Sequence, residues 1–123
     1  MRRATSVTAR AICYATESEE KVLRAISNAL GVDASGAARW TRTTGIFGEP
    51  LSVVEVELRG EEAERVAGRL LSFLPEHYVA ERTETLGSQE VVHIRLGKQA
   101  AYLGELVLSE RDAIKVEVRR QRT

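Results

Sequence analysis

The sequence predicts a single α+β domain in which a mostly antiparallel sheet carries two main amphipathic helices on one face, a two-layer sandwich. Three observations carry this. Two helical stripes of apolar residues are flanked by runs that alternate with a period of two, the order along the chain is strand, helix, strand pair, helix, strands, and no internal repeat is visible. At 123 residues the chain is long enough to bury a core and too short for two domains, so one domain over residues 1–123 is expected.

The first strand is expected over residues 7–15, where Val7, Ala9, Ala11, Cys13 and Ala15 alternate with Thr8, Arg10, Ile12 and Tyr14. Thr16-Glu17-Ser18-Glu19 has the spacing of a capping box, and Val22, Ala25, Ile26 and Ala29 follow at helical intervals until Gly31. This predicts a helix over 17–30. Residues 38–44 and 51–58 read as strands joined by Gly45-Ile46-Phe47-Gly48-Glu49-Pro50, with Ser52, Val54, Val56 and Leu58 on the core side of the second. A second helix over 61–74 buries Ala63, Val66, Ala67, Leu70, Leu71 and Leu74, and Pro75 ends it.

Residues 77–86 have weak periodicity and predict a short helix, and Gly87-Ser88 predicts a turn. Residues 91–96 form a strand with Val92, Ile94 and Leu96 on one side, followed by a helical turn in Lys98-Gln99-Ala100-Ala101-Tyr102. A brief strand over 106–108, a turn over 109–112 and a final strand over 113–119 complete the reading. One sheet face is left open, and it collects Arg10, Tyr14, His93, Arg95, Lys115 and Arg119 among Glu55 and Glu57.

Composition excludes several classes. No apolar run approaches the roughly 18 residues of a membrane span, and no signal-peptide stretch follows Met1, so a cytoplasmic protein without membrane contact is expected. One cysteine, Cys13, rules out an intrachain disulfide and a multi-cysteine metal site. Net charge is zero, against a whole-surface polyanion binder, yet residues 1–10 carry +3 from Arg2, Arg3 and Arg10. Residues 111–122 also carry +3, five cations against Asp112 and Glu117, which leaves −6 for the middle of the chain. If the ends pair they form a basic edge; if not, they are solvated charge runs.

Phosphate-loop and His-Glu-x-x-His signatures are missing, and no cofactor or metal is expected. Glu55 and Glu57 with His93 are the sole arrangement that suggests a metal-dependent hydrolase, and cross-strand basic neighbours explain them better. Gly97 opens a short turn with Lys98 beside its free N–H groups, suited to phosphate. Phe47 at a loop tip suits either a partner or the core.

Lys98-Gln99-Ala100-Ala101-Tyr102-Leu103-Gly104-Glu105 with Asp112-Ala113-Ile114-Lys115-Val116 resembles the signature of an archaeal RNA-binding family once described as predicted exosome subunits. Ala15-Thr16-Glu17 and the 45–50 loop support the resemblance, which spans nearly the whole chain. Glu49 stands where the family commonly has asparagine and brings a negative charge to that loop. The resemblance implies a fold like that of ribosomal large-subunit protein five and a non-catalytic RNA-binding accessory protein, associated with the exosome or RNA processing. On the open sheet face and the adjoining helical turn, the residues expected to contact RNA are Lys98, Gln99, Arg95, Arg10, Tyr14 and Lys115, by phosphate neutralisation and limited stacking. Protein partners and a homodimer are compatible with this reading. The alternative is a protein-interaction or dimerisation module using the same face or the Phe47 loop.

Overall fold

Alternation in the N-terminal run sends Val7, Ala9, Ala11 and Cys13 to one side, and in the computed structural model, which describes residues 3–122, all four are buried in β1 (Ala4–Cys13). α1 (Glu19–Leu30) follows, then a single 3-10 turn and the hairpin β2 (Ala38–Thr44) and β3 (Pro50–Arg59). α2 (Gly60–Phe73) and the short α3 (Glu76–Glu81) lead to β4 (Thr83–Leu86), β5 (Gln89–Gly97), the one-turn α4 (Lys98–Tyr102) and β6 (Ala113–Gln121). The six strands form one sheet in the order β2-β3-β1-β6-β5-β4, and every neighbouring pair is antiparallel.

The core lies between the sheet and α1 and α2. Val22, Ala25, Ile26, Ala29 and Leu30 from α1 and Ala63, Val66, Ala67 and Leu70 from α2 meet Val54, Val56, Ile94, Ile114 and Val116 of the sheet. Small residues recur in both layers of this core: Ala9 and Ala11 on β1, and Ala25, Ala29, Ala63 and Ala67 on the helices, are all buried in the same cluster. Close packing of a helix on a strand needs such short side chains, so the alanine content reflects a small interlayer gap.

The helix start differs from the sequence expectation. Ser18, rather than Thr16, is the N-cap, and its hydroxyl accepts from the Lys21 N–H at 3.3 Å. The reason is a tight turn over residues 14–17: Glu17 N donates to Tyr14 O at 2.9 Å, and the Glu17 carboxylate accepts from Tyr14 N at 3.0 Å. Glu17 is thereby held outside the helix. Ser18→Ala removes this cap and lowers stability by about 1 kcal/mol in chemical denaturation, with the midpoint moving and the slope unchanged; an unchanged midpoint would show that the cap is not used.

Two further differences concern the right-hand side of the sheet. Residues 83–86 form β4, a hairpin with β5 across the Gly87-Ser88 turn, where a helix continuing to residue 86 is expected from sequence. Residues 106–108 make one bridge, Leu96 to Leu108, and no strand. Beyond β4, the β5 edge is covered by α3: Arg95 N donates to the Tyr78 hydroxyl at 3.3 Å and His93 N to Arg82 O at 2.9 Å. This satisfies the stretch of the β5 edge that β4 does not reach, and leaves β2 and β4 as the outer edges of the sheet.

The basic ends of the chain do pair, as neighbouring strands, with Thr8 opposite Glu117 and Arg10 opposite Lys115. They form the middle of the sheet, because β1 and β6 are its third and fourth strands, and not an edge.

Candidate nucleic-acid interface

On the face away from the helices, register places five charged residues in one line across five strands. Arg39 of β2 is opposite Glu55 of β3, Glu55 opposite Arg10 of β1, Arg10 opposite Lys115 of β6, and Lys115 opposite Arg95 of β5. At the usual spacing of strands the line is about 19 Å long. Arg39 reaches Glu55 at 3.7 Å. Arg95 approaches Glu110 at 3.6 Å, but Glu110 is shared with Arg82, whose hydrogen bond holds its carboxyl below the usual carboxylate range. Arg10 and Lys115 are exposed, and among the described residues neither makes a side-chain ion pair or hydrogen bond.

The next line across the sheet is acidic: Glu57, Thr8, Glu117 and His93. Each acid there has its own cation, Glu57 with Arg59 at 2.6 Å and Glu117 with Arg119 at 3.8 Å, and His93 lies 3.1 Å from Glu84. Glu57 and His93 are three strands apart and Glu55 is held by Arg39, so the three are not brought together. No group of His, Cys, Asp or Glu among the described residues is placed to hold a metal ion.

Two concavities flank the basic line. One of about 540 Å³ lies over β1, β2 and β3, between Arg10, Arg39, Thr41, Thr43, Val53 and Glu55. The other, of about 580 Å³, is bordered by Arg82, Glu84, His93, Arg95, Lys115 and Glu117.

Of the six residues expected to contact RNA, Arg10, Lys115 and Arg95 stand together in the basic line. Lys98 does not. Its side chain is 3% exposed, and its three ammonium protons are engaged by Ile12 O at 2.8 Å, Glu17 Oε1 at 2.7 Å and Asp112 Oδ1 at 2.8 Å. Burial works against the charged form, but the hydrogen bonds to Asp112 and Glu17 outweigh it and leave the Lys98 pKa above its ordinary value. The expected outward-facing turn is corrected accordingly: Lys98 N donates to Asp112 O at 3.3 Å and Gly97 N to Val107 O at 2.8 Å, so these N–H groups bind the chain itself. Lys98 is a clasp that ties the ends of β1, β5 and β6 together.

Tyr14 lies just past the end of β1, and its ring sits 5.0 Å from the Lys98 ammonium, as a cation–π partner. Gln99 is exposed on α4, which packs on α1, and it borders a groove with Thr16, Lys21 and Tyr102. Neither belongs to the basic line. Arg39, which sequence reasoning did not select, does. Its run, Ala38 to Thr44, has too few apolar residues to show which face each side chain takes, and only pairing to β3 settles this.

Comparison with known proteins agrees with this architecture. The chain is 32% identical over 127 aligned residues to a Pyrococcus abyssi protein named RNA-binding protein PAB1135, covering 95% of this chain and 82% of that one. The crystal structure of protein AF2318 from Archaeglobus fulgidus, assigned to DUF54, superposes with a TM-score of 0.75 at 31% identity, over 94% of this chain and 86% of the other. The DUF54 protein Mth689 from Methanothermobacter thermautotrophicus shares the fold, with a TM-score of 0.78 at 21% identity over 98% and 87% of the two chains. Residues 6–120 match the family model described as RNA binding, and the chain therefore belongs to that family.

Proposed function

We propose that this protein binds RNA through the open face of its sheet, as a non-catalytic accessory, with Arg10 and Lys115 as the principal phosphate contacts and Arg95 and Arg39 flanking them. One observation carries the reading. Three cations, Arg10, Lys115 and Arg95, stand directly opposite one another on adjacent strands, and like charges so placed destabilise a sheet. An anionic ligand offsets that cost, and a phosphate backbone laid across the strands meets the cations in sequence. The family name and that of the Pyrococcus abyssi relative support RNA as the source of those phosphates. A place in exosome or RNA-processing assemblies rests on the family resemblance alone.

The test exploits the conflict between binding and stability. Lys115→Gln relieves the repulsion and raises stability by a few tenths to about 1 kcal/mol, while it weakens RNA binding measured by fluorescence anisotropy. If Lys115→Gln destabilises the protein, or leaves RNA affinity as it was, the cations are not kept for an RNA ligand.

A further inference from the structure

The tip of the β2–β3 hairpin exposes two large apolar side chains almost fully, Ile46 at 93% and Phe47 at 89%. We infer that Phe47 is a stacking platform for one unpaired base of a single RNA strand whose backbone runs along β2 from the basic line to the hairpin tip. This rests on the proposal that the open face binds RNA.

The tip is held in one shape. Gly48 N donates to Gly45 O at 3.0 Å, Gly45 N to Glu49 O at 2.8 Å, and Phe47 N to Glu49 Oε2 at 2.9 Å. Gly48 has a φ of 79°, and a β-carbon on Gly45 would stand 1.8 Å from Glu49 Oε1. Two glycines and one carboxylate thus fix a turn whose outcome is an aromatic ring in water. Presented on a fixed turn, the ring loses little freedom when a flat partner covers it. Glu49 keeps its negative charge while it accepts from Phe47 N.

A path leads from the cations to this ring. Arg39, Thr41 and Thr43 share the open side of β2 and, with Arg10, border the concavity over β1, β2 and β3. From Arg39 to Thr44 the strand runs roughly 17 Å. Arginine at the start, two hydroxyls along the way and an apolar ring beyond the end match the backbone and terminal base of a short single strand. Among the described residues no Phe, Tyr or Trp occupies an open-face strand position: Trp40 is on the helix side, opposite buried Val54, and Tyr14 covers Lys98. His93 is the one other ring on the open face among the described residues, and it lies 3.1 Å from Glu84, which leaves Phe47 as the almost fully exposed platform next to this face.

The experiment uses fluorescein-labelled oligouridine of about 12 nucleotides, within the site sizes of single-strand binding folds, and the full chain as wild type, Phe47→Ala, Phe47→Leu, Phe47→Trp and Arg10→Glu. Position 47 is in water, so the variants fold, which circular dichroism checks. Phe47→Ala and Phe47→Leu are expected to weaken binding about 10-fold, as for a base losing its aromatic platform, with the salt dependence unchanged because no phosphate contact is lost. Phe47→Trp retains wild-type affinity. If Phe47→Leu or Phe47→Ala binds as wild type does while Arg10→Glu is weakened, the stacking role is wrong, the RNA reading stands, and the tip is a surface for a protein partner. If wild type fails to bind, or Arg10→Glu binds equally well, the RNA reading fails and this inference fails with it.

Discussion

Lys98→Ala lowers stability by about 2–3 kcal/mol, because the Glu17 carboxylate, the Ile12 carbonyl and the Asp112 carboxylate lose a shared donor together; this is less than the cost of breaking a fully buried ion pair, since Glu17 at 21% and Asp112 at 43% exposure are partly rehydrated when left behind. Such a loss moves the thermal midpoint down on the order of 10 °C for a chain of this size. Asp112 deepens the effect, since it is held at a φ of 45° and the clasp helps to keep it there. Lys98→Met retains the aliphatic stem and leaves the same carboxylates unpaired, so it should fall nearly as far, and adding Glu17→Gln should recover part of the loss. A midpoint within a few degrees of wild type for Lys98→Ala would show that the clasp contributes nothing. Lys98→Glu is for the same reason no test of RNA contact, because loss of fold and loss of binding would coincide.

The clasp also sets a pH dependence. Lys98 has a raised pKa in the folded state, so its contribution is complete below the ordinary lysine value and fades as pH climbs through the raised one. Wild type should lose stability steeply in the alkaline range, and Lys98→Met should lose less across the same interval in denaturant titrations. Equal losses would place the alkaline sensitivity elsewhere.

The second large effect is on binding. Reversing both central cations, Arg10→Glu with Lys115→Glu, replaces two phosphate contacts by two repulsions. Affinity for a single strand at low salt is expected to fall on the order of 100-fold, and the slope of log affinity against log salt to become shallower by about 1.4, from two lost contacts at about 0.7 each. Both side chains are exposed and among the described residues make no ion pair, so the fold should survive. A folded double variant that binds as tightly as wild type would remove the open face from consideration.

The parts of this molecule that were legible in its sequence are those governed by local periodicity. The buried stripes of α1 and α2, the left-handed Gly31 at φ 77° and the alternation in β1, β3 and β5 announce themselves, because each is a pattern within one element. β4 was hidden: Thr83-Glu84-Thr85-Leu86 is a polar edge strand, and its pairing is visible only through the turn that returns it to β5. Lys98 is hidden for a different reason. Beside Gln99 it looks solvated, while its partner Glu17 is 81 residues away in the sequence. The period of two in Val92, Ile94 and Leu96 ends with β5 at Gly97, so it does not reach Lys98 at the start of α4. Arg39 illustrates the converse, since its face follows only from register with β3.

The most direct measurement is the affinity of wild-type protein for a labelled single-stranded RNA over a salt series. Four contacts, from Arg39, Arg10, Lys115 and Arg95, predict a slope of roughly −3, which corresponds to a loss of about 50-fold between 50 and 200 mM salt. A slope near zero, or no binding at the lowest salt, would contradict the account.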